Sequence, residues 1–340
     1  MSERRRIAVV GATGTVGQTM LQVLHERKFP AKEVIPLASA KSQGQMVSYG
    51  FEELEVEDLA KFDFHGIDIA LFSAGSEVSK QYAPIAADAG CVVIDNTSCF
   101  RYDDDIPLVV PEVNPHAIAQ YKNRGIIANP NCSTIQMVVA LKPIYDAVGI
   151  ERINVATYQA VSGTGQKAIR ELIDQLSALL NGRTIPAQVY PHQIAFNVIP
   201  QIDEFQENGY TKEEMKMVWE TRKIFEDDKI LVNPTAVRVP VLYGHSEAIH
   251  LELKAPLQVA DAKALLEKAP GVIVFDEPKK KHYPMPLVQA TGHDEVFVGR
   301  IRQDISHPLG LNLWVVADNT RKGAATNAVQ IAEILHQNYL

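Results

Sequence analysis

Arg6-Ile-Ala-Val-Val-Gly11-Ala-Thr-Gly14-Thr-Val-Gly17 is the stretch that decides the fold class. Arg6–Val10 reads as a short apolar strand, Gly11–Gly17 as a glycine-rich turn, and Thr15 to about Lys28 as an amphipathic helix. Strand, tight turn and helix open a βαβ unit. Glycine lets the backbone approach a pyrophosphate, and the free N–H groups of the helix start then face the anion. The spacing is G-x-x-G-x-x-G rather than G-x-G-x-x-G. A glycine-rich turn without a ligand is the plain alternative, and the strand-turn-helix context favours dinucleotide binding over it.

Outward from this stretch the rhythm continues. Val34–Ala38 and Ile67–Phe72 read as strands, Val78–Ala89 as a helix, and Cys91–Asp95 as a fourth strand. Alternation of this kind predicts the α/β class, with a Rossmann-type doubly wound parallel sheet. The middle of the chain is different. Ile153–Val161 reads as a strand and Thr164–Leu180 as a long amphipathic helix. Thr235–Tyr243, His250–Leu253, Val296–Gln303 and Leu311–Ala317 then follow as strands. Several strands in succession without helices predict a largely antiparallel sheet in a separate α+β domain. Pro191–Pro200 and Pro278–Pro286 read as loops or extended segments, and Gly323–Asn338 as an Ala-rich helix.

At 340 residues the chain is long enough for two domains. Its 46% hydrophobic and 22% charged residues are ordinary for a soluble globular protein. A net charge of −8 argues against nucleic acid or an anionic membrane as the main partner. No apolar run approaches the roughly 20 residues that span a bilayer. Met1-Ser-Glu-Arg-Arg-Arg is a basic start, but the apolar segment after it ends at Gly11, too soon for a secretory signal. Three cysteines without metal-ligand spacing fit a reducing cytoplasm and predict no metal site.

The end of the second strand bears on the cofactor. An NAD site usually carries an acid there for the ribose 2′-hydroxyl. Here the segment is Leu37-Ala38-Ser39-Ala40-Lys41-Ser42, with two hydroxyls and a cation that suit a 2′-phosphate. An ordinary polar loop is the alternative reading.

Asn129-Pro-Asn131-Cys132-Ser-Thr stands before the apolar run Ile135–Leu141, a candidate buried helix. Cys132 near the start of that helix would gain thiolate character from the dipole and the free N–H groups. The same N–H groups suit an oxyanion. The alternative is a buried small hydrophobe. Cys91 lies in an apolar strand and reads as core. Ten histidines prevent composition from choosing a base. His245, in Tyr243-Gly-His-Ser, reads as an exposed loop position after a strand, where an ordinary surface or core histidine is the competing reading. Arg238 lies in an apolar stretch, where an unpaired charge is costly, so a bound anion or an internal carboxylate is expected beside it.

These residues resemble the aspartate-β-semialdehyde dehydrogenases, in their shorter bacterial form. The resemblance runs along essentially the whole chain. It is carried by the glycine turn, Asp95-Asn-Thr-Ser with Phe100-Arg101-Tyr-Asp-Asp-Asp, and Val109-Val-Pro-Glu-Val-Asn114. Asn129-Pro-Asn-Cys-Ser-Thr134, Gln159-Ala-Val-Ser-Gly-Thr-Gly165 and Glu213-Glu-Met-Lys216 continue it, followed by Arg238-Val-Pro-Val-Leu-Tyr-Gly-His245 and Asp318-Asn-Thr-Arg-Lys-Gly323. The cysteine motif with the downstream Arg-x6-His is the specific part.

The resemblance implies roles. Cys132 would be the nucleophile, His245 the general acid/base, and Gln159 a group that orients substrate. Arg238 would clamp the substrate carboxylate, Glu213 would meet its ammonium, and Arg101, Asn131 and Lys216 would hold its phosphoryl group. NADP would touch Gly11, Thr13, Gly14, Thr15, Val16, Ser39, Lys41, Ser42, Ser162, Gly163 and Asn319. Many relatives have Arg where this chain has Lys41, which bears on how strongly NADP is preferred over NAD. The milder readings are a solvated i, i+3 pair for Glu213 and Lys216 and a surface ion pair for Arg101 beside Asp103–Asp105. The implied organisation is an NADP-binding domain at 1–131 with the C-terminal helix 320–340, and a catalytic and dimerisation domain at 132–319. The implied activity is NADPH-dependent reductive dephosphorylation of L-4-aspartyl phosphate to L-aspartate 4-semialdehyde through a cysteine thioester. It would serve lysine/diaminopimelate, threonine, methionine and isoleucine biosynthesis, in a cytoplasmic homodimer. Two rivals remain at this stage. An N-acetyl-glutamyl-phosphate reductase would leave the Glu213 carboxylate without a cation to pair with. A catalytically silent relative would be expected to lack Cys132 or His245.

Overall fold

The structure, a computed structural model, describes residues 4–340; the first three residues of the basic start lie outside it. The chain divides into two compact units, Met1–Asn131 with Ala324–Leu340, and Cys132–Gly323.

The first unit holds β1 (Arg5–Val10), α1 (Thr15–Glu26), β2 (Ala31–Ala38), the hairpin β3 (Met46–Tyr49) and β4 (Glu52–Glu55), and β5 (Glu57–Asp58). β6 (Ile69–Phe72), α2 (Ser76–Asp88), β7 (Val92–Asp95) and β8 (Ile126–Ala128) follow, and the C-terminal helix α7 (Thr326–Asn338) belongs to the same unit. The sheet order is β5-β2-β1-β6-β7-β8, and every pairing is parallel. Alternate residues face opposite sides of a strand. Ile7 and Val9 of β1, Ile69 and Leu71 of β6, and Val92 and Ile94 of β7 pack with Met20, Leu21 and Leu24 of α1 and Ala328, Ile331 and Leu335 of α7. Phe72 and Asp95 take the other parity; Phe72 stacks on Phe64, and Asp95 accepts a hydrogen bond from Ser79 of α2 at 2.7 Å. Helices therefore cover both faces, as the doubly wound class requires. The apolar periodicity of α1 explains its place: Met20, Val23 and Leu24 with Gly17 form one buried stripe.

In the second unit, α3 (Cys132–Val148) and β9 (Ile150–Gln159) lead to α4 (Gln166–Leu180) and α5 (Lys212–Phe225). β10 (Leu231–Arg238), β11 (His245–Leu253), α6 (Val259–Lys268), β12 (Val272–Val274), β13 (Val296–Gln303) and β14 (Gly310–Ala317) complete it. The order is β10-β9-β11-β14-β13-β12. The three central pairings are antiparallel, and the outer two, β10 on β9 and β12 on β13, are parallel. The sheet is thus mixed rather than largely antiparallel, because α5 and α6 supply crossovers that a reading by strands alone missed.

Three boundaries move. The strand expected at Thr235–Tyr243 runs over Leu231–Arg238 instead. Pro240 has no N–H for a ladder, and Val239 to Gly244 form a connection. β11 begins at His245, five residues before the expected His250. The C-terminal helix proper begins at Thr326, after a wide π turn over Arg321–Ala325.

Candidate active site

The second unit gathers its polar residues at one end of the sheet. Arg238 on β10 is level with Gln159 on β9, and Ser246 on β11 is level with Tyr158. One step along that register puts His245 level with Gln159. Arg238, Gln159 and His245 therefore form one rung across three neighbouring strands, all buried. Ladder pairing, not chain proximity, unites them: 79 residues separate Gln159 from Arg238 in the parallel pair β9–β10.

Helix α3 lies against this sheet, and Cys132 is its first residue, partly buried. The next residue, Ser133, accepts a 2.8 Å hydrogen bond from Gln159 Nε2. One turn further, Gln136 Nε2 donates to the His245 carbonyl at 3.4 Å. The helix start carrying Cys132 is thus tied to both Gln159 and His245. Gly323 approaches it from the other side, and a Cβ at Gly323 would lie 2.8 Å from Cys132 Cβ.

His245 is fully buried, which corrects the exposed-loop expectation. Its Nδ1 accepts the Ala160 N–H at 3.0 Å, so the neutral ring carries its proton on Nε2, which has no partner. Burial first, and the Arg238 charge second, lower its pKa to about 3; Glu213 and the Gly244 carbonyl oppose them more weakly. A Cβ at Gly163 would stand 3.4 Å from His245 Nε2 and 3.3 Å from Arg238 Nη1, so this glycine leaves open the space both groups face.

Arg238 donates from Nη1 to the Ala160 carbonyl at 2.7 Å and lies over the Tyr190 ring at 5.7 Å. Its Nε has no partner, and among the described residues no carboxylate pairs with it. Of the two expected companions, an internal carboxylate is therefore absent from the described residues. A buried guanidinium of this kind suits an incoming carboxylate, which it can hold in bidentate fashion.

Glu213 and Lys216 sit in the first turn of α5. A capping box sets that turn: Thr211 accepts from Glu214 N while Glu214 accepts from Thr211 N. Glu214 also accepts from Ala236 N, which fastens the helix start to β10. Glu213 is buried and accepts from Gln159 Nε2 at 3.3 Å. Lys216 bridges Glu213 and Asp203, at 2.9 Å each. Burial opposes its charge, but Glu213 and then Asp203 outweigh burial and raise its pKa. The solvated-pair reading of these two residues is corrected.

Ser162 and Asn319 hydrogen-bond through their side chains, and Asn319 also accepts from Gly244 N at 2.9 Å. Ser162, Gly163 and Asn319 lie in the second unit, whereas the other expected cofactor residues lie in the first. Arg101 and Asn131 also lie in the first unit and Lys216 in the second. Arg101 is buried and donates to the Asn96 carbonyl at 2.9 Å. Arg124 faces Asp103 at 3.0 Å and Asp105 at 3.5 Å.

In the first unit, a cleft of about 550 Å³ opens beyond the carboxyl ends of β1, β2, β5 and β6. It is lined by Gly11, Thr13 and Gly14, by Ser39 and Ala40, and by Asp58, Ser73 and Ala74. This is the crevice where the strand order reverses, the usual place for a dinucleotide. The cradle fits one. α1 starts without a side-chain cap, and the Thr15 hydroxyl is buried without a partner. A Cβ on Gly11 would lie 2.9 Å from Ala74 N, and one on Gly17 only 2.1 Å from Gly11 O, so the turn needs glycine at both positions. Val16 packs its side chain on the core, and as a first-turn residue of α1 its N–H has no intrahelical acceptor. Lys41 and Ser42 lie on a short turn after β2, with Lys41 exposed. The strand reading saw no acid here, yet β5 pairs with the end of β2 and brings Asp58 to the cleft. Asp58 accepts from Ala60 N and faces Lys61 at 3.5 Å.

Sequence reasoning gave no role to Ser133, Gln136, Tyr190 and Gly323. Ser133 had a signal in its place next to Cys132, and Gly323 in the Asp318–Gly323 motif; Gln136 and Tyr190 are brought in by tertiary contact. Among the described residues, no group of three or more His, Cys, Asp or Glu side chains is placed to hold a metal, and no helix is long and apolar enough to cross a membrane.

The profile of the semialdehyde dehydrogenase NAD binding domain matches residues 6–121, and that of the semialdehyde dehydrogenase dimerisation domain matches residues 141–322. The chain is 69% identical to an aspartate-semialdehyde dehydrogenase of Legionella pneumophila, over all of this chain and 98% of that one. The chain belongs to the aspartate-semialdehyde dehydrogenase family. Its fold matches that of the Vibrio cholerae aspartate semialdehyde dehydrogenase II complexed with ASA, with a TM-score of 0.98 and 59% identity over the whole of both chains. It also matches the Candida albicans aspartate semialdehyde dehydrogenase with NADP, with a TM-score of 0.75 and 26% identity over 98% of each chain. Membership makes this an oxidoreductase acting on an aldehyde, with a Rossmann-type nucleotide domain and a mixed-sheet second domain.

Proposed function

We propose that this member of the aspartate-semialdehyde dehydrogenase family is an NADP-dependent, phosphorylating enzyme. It reduces L-4-aspartyl phosphate to L-aspartate 4-semialdehyde and releases phosphate. The observation that carries this reading is the buried rung of Arg238, Gln159 and His245, with the Cys132 helix start tied to it. The ASA complex of the Vibrio cholerae relative supports the substrate, and the NADP complex of the Candida albicans relative supports the cofactor.

The Cys132 thiolate attacks the acyl carbon of the acyl phosphate. The bond to the phosphate oxygen breaks, and a thioester forms. The N–H groups at the start of α3 favour both the thiolate and the oxyanion of this step. His245 presents Nε2–H as the acid of the site and donates to the carbonyl oxygen as charge develops there. When bound, NADPH supplies the hydride that reduces the thioester. Expulsion of the Cys132 thiolate then frees the aldehyde. Arg238 clamps the substrate carboxylate, Glu213 meets its ammonium, Gln159 orients it, and Arg101, Asn131 and Lys216 hold the phosphoryl group.

Gly11, Thr13, Gly14, Thr15 and Val16 would hold the pyrophosphate, and Ser39, Lys41 and Ser42 the 2′-phosphate. Ser162, Gly163 and Asn319 would hold the nicotinamide end. The division of labour is an NADP-binding domain at 1–131 with 320–340, and a catalytic and dimerisation domain at 132–319. The matched dimerisation profile supports a homodimer. The enzyme would work in the cytoplasm, in the biosynthesis of lysine/diaminopimelate, threonine, methionine and isoleucine.

The test is reduction of NADP by purified protein with L-aspartate semialdehyde, with and without phosphate, beside Cys132→Ala. Phosphate-dependent turnover that vanishes in the variant, with NADPH binding retained, is expected. Undiminished turnover in the variant overturns the mechanism, and absence of turnover in the wild type overturns the substrate.

A further inference from the structure

One rung below the site, β11 carries a group that the chemistry above does not use. Glu247 lies level with Thr157 of β9 and Val315 of β14, on the same strand face as His245. It is fully buried, and neither carboxyl oxygen has a hydrogen-bond partner among the described residues. Among the described residues no cation is paired with it. An ionised carboxylate in such a place is far costlier than a protonated one. Burial accordingly pushes the Glu247 carboxyl well above the usual range, and the Gln136 side chain is the one group that opposes this shift.

Gln136 is itself fully buried. Its Nε2 donates to the His245 carbonyl, while its Oε1 has no partner. The two side chains complement each other. A protonated carboxyl needs an acceptor, and the amide oxygen needs a donor. Gln136 stands one turn after Cys132 on α3, and Glu247 stands two residues after His245 on β11. A bond between them therefore fastens the helix of the nucleophile to the strand of the acid.

We propose that Glu247 is a positioning residue: a neutral carboxylic acid that donates to Gln136 and so fixes the α3 start, with Cys132, against the β11 start, with His245. This rests on the reading that Cys132 and His245 do the chemistry. At this rung Val315 is apolar, and the Thr157 hydroxyl beside Glu247 accepts from Gln159 Nε2 at 3.3 Å.

The test compares Glu247→Leu, which keeps the volume and removes the donor, with Glu247→Gln, which restores an N–H donor. The expected result for Glu247→Leu is a roughly tenfold or greater fall in kcat with little change in KM, and slower alkylation of Cys132 by iodoacetamide. Glu247→Gln is expected to recover most of both. Infrared difference spectra of wild type minus Glu247→Gln should show a protonated-carboxyl C=O stretch that persists at about pH 8, where an ordinary Glu is ionised. A carboxylate band in its place, or wild-type kcat and alkylation in Glu247→Leu, overturns the proposal. The spectrum and the alkylation rate need no substrate, so they decide the role of Glu247 even if L-aspartate semialdehyde proves not to be turned over.

Discussion

Arg238 shows how much one side chain's surroundings decide. It is buried, it donates one bond to a backbone carbonyl, and its Nε has no hydrogen-bond partner. Arg238→Lys retains the charge but loses the planar pair of donors. The expected outcome is a fall in kcat/KM of roughly 100-fold, or about 2.7 kcal/mol, in steady-state assays with L-aspartate semialdehyde. Unchanged kinetics would remove Arg238 from the clamp. Gly323 makes the reverse argument. A methyl group there meets Cys132 Cβ at 2.8 Å, so Gly323→Ala must displace Cys132 or its helix start. Turnover is expected to fall about 10- to 100-fold, because misplacement by a fraction of an ångström is costly in a preorganised site. NADPH titration should be unaffected in the same variant.

Among the elements, α4 organises a segment without regular structure. Glu171 accepts from the N–H groups of Gln188, Val189 and Tyr190, and Gln175, one turn on, accepts from those of Ile194 and Ala195. These bonds hold Tyr190 under the Arg238 guanidinium. Glu171→Ala leaves three N–H groups without that acceptor. A loss of about 2–3 kcal/mol in denaturant unfolding is expected, together with a raised KM. Strand β11 makes a pH argument, because it buries two titratable groups of opposite sense. His245 has its folded pKa depressed from 6.5 to about 3, so its contribution to stability is present above 6.5 and is lost as pH falls towards 3. Glu247 has its folded pKa raised above 4.5, so its contribution is fullest below 4.5 and is lost as pH rises. Glu247→Gln removes the second slope. Its melting temperature relative to wild type is expected to rise steadily from about pH 4.5 to about pH 8 in thermal scans. A constant difference across that range would mean that Glu247 does not titrate as an isolated buried acid.

Over the whole molecule, the nucleotide cleft lies within the first unit and the Cys132 rung within the second. Substitutions in the glycine turn and at Cys132 should therefore act on different steps, cofactor pyrophosphate binding and acyl chemistry. At a concentration of about 100 times its Kd, NADPH should stabilise the wild type by about 2.7 kcal/mol. Cys132→Ala should show the same gain in thermal scans, whereas a bulky residue at Gly11 should abolish it. The parallel first sheet was legible in part from alternating strand and helix patterns: β1, β2, β6 and β7 with α1 and α2 fell within a few residues of expectation, whereas β5, β8 and the hairpin β3–β4 were not anticipated. The second sheet was less legible. α6 and β12 were not anticipated, and half of β11 was missed, because His245-Ser-Glu-Ala-Ile-His puts polar residues on a strand face that is buried. Polar residues in a core break the very alternation by which strands are recognised.

What the sequence alone determined is the class of each half, the family, and the short motifs whose function is local. A glycine turn between strand and helix, and a cysteine ahead of an apolar helix, carry their physics within a dozen residues. The tertiary structure alone decided what depends on register and packing. Arg238, Gln159 and His245 share a rung only because β10, β9 and β11 pair as they do. Asp58 reaches the cleft only because β5 pairs with β2, and Gln136 reaches the His245 carbonyl, two residues from Glu247, only because α3 lies on that sheet. Burial and hydrogen-bond partners set the protonation of His245 and Glu247, and both are properties of the folded neighbourhood, which no stretch of chain contains by itself.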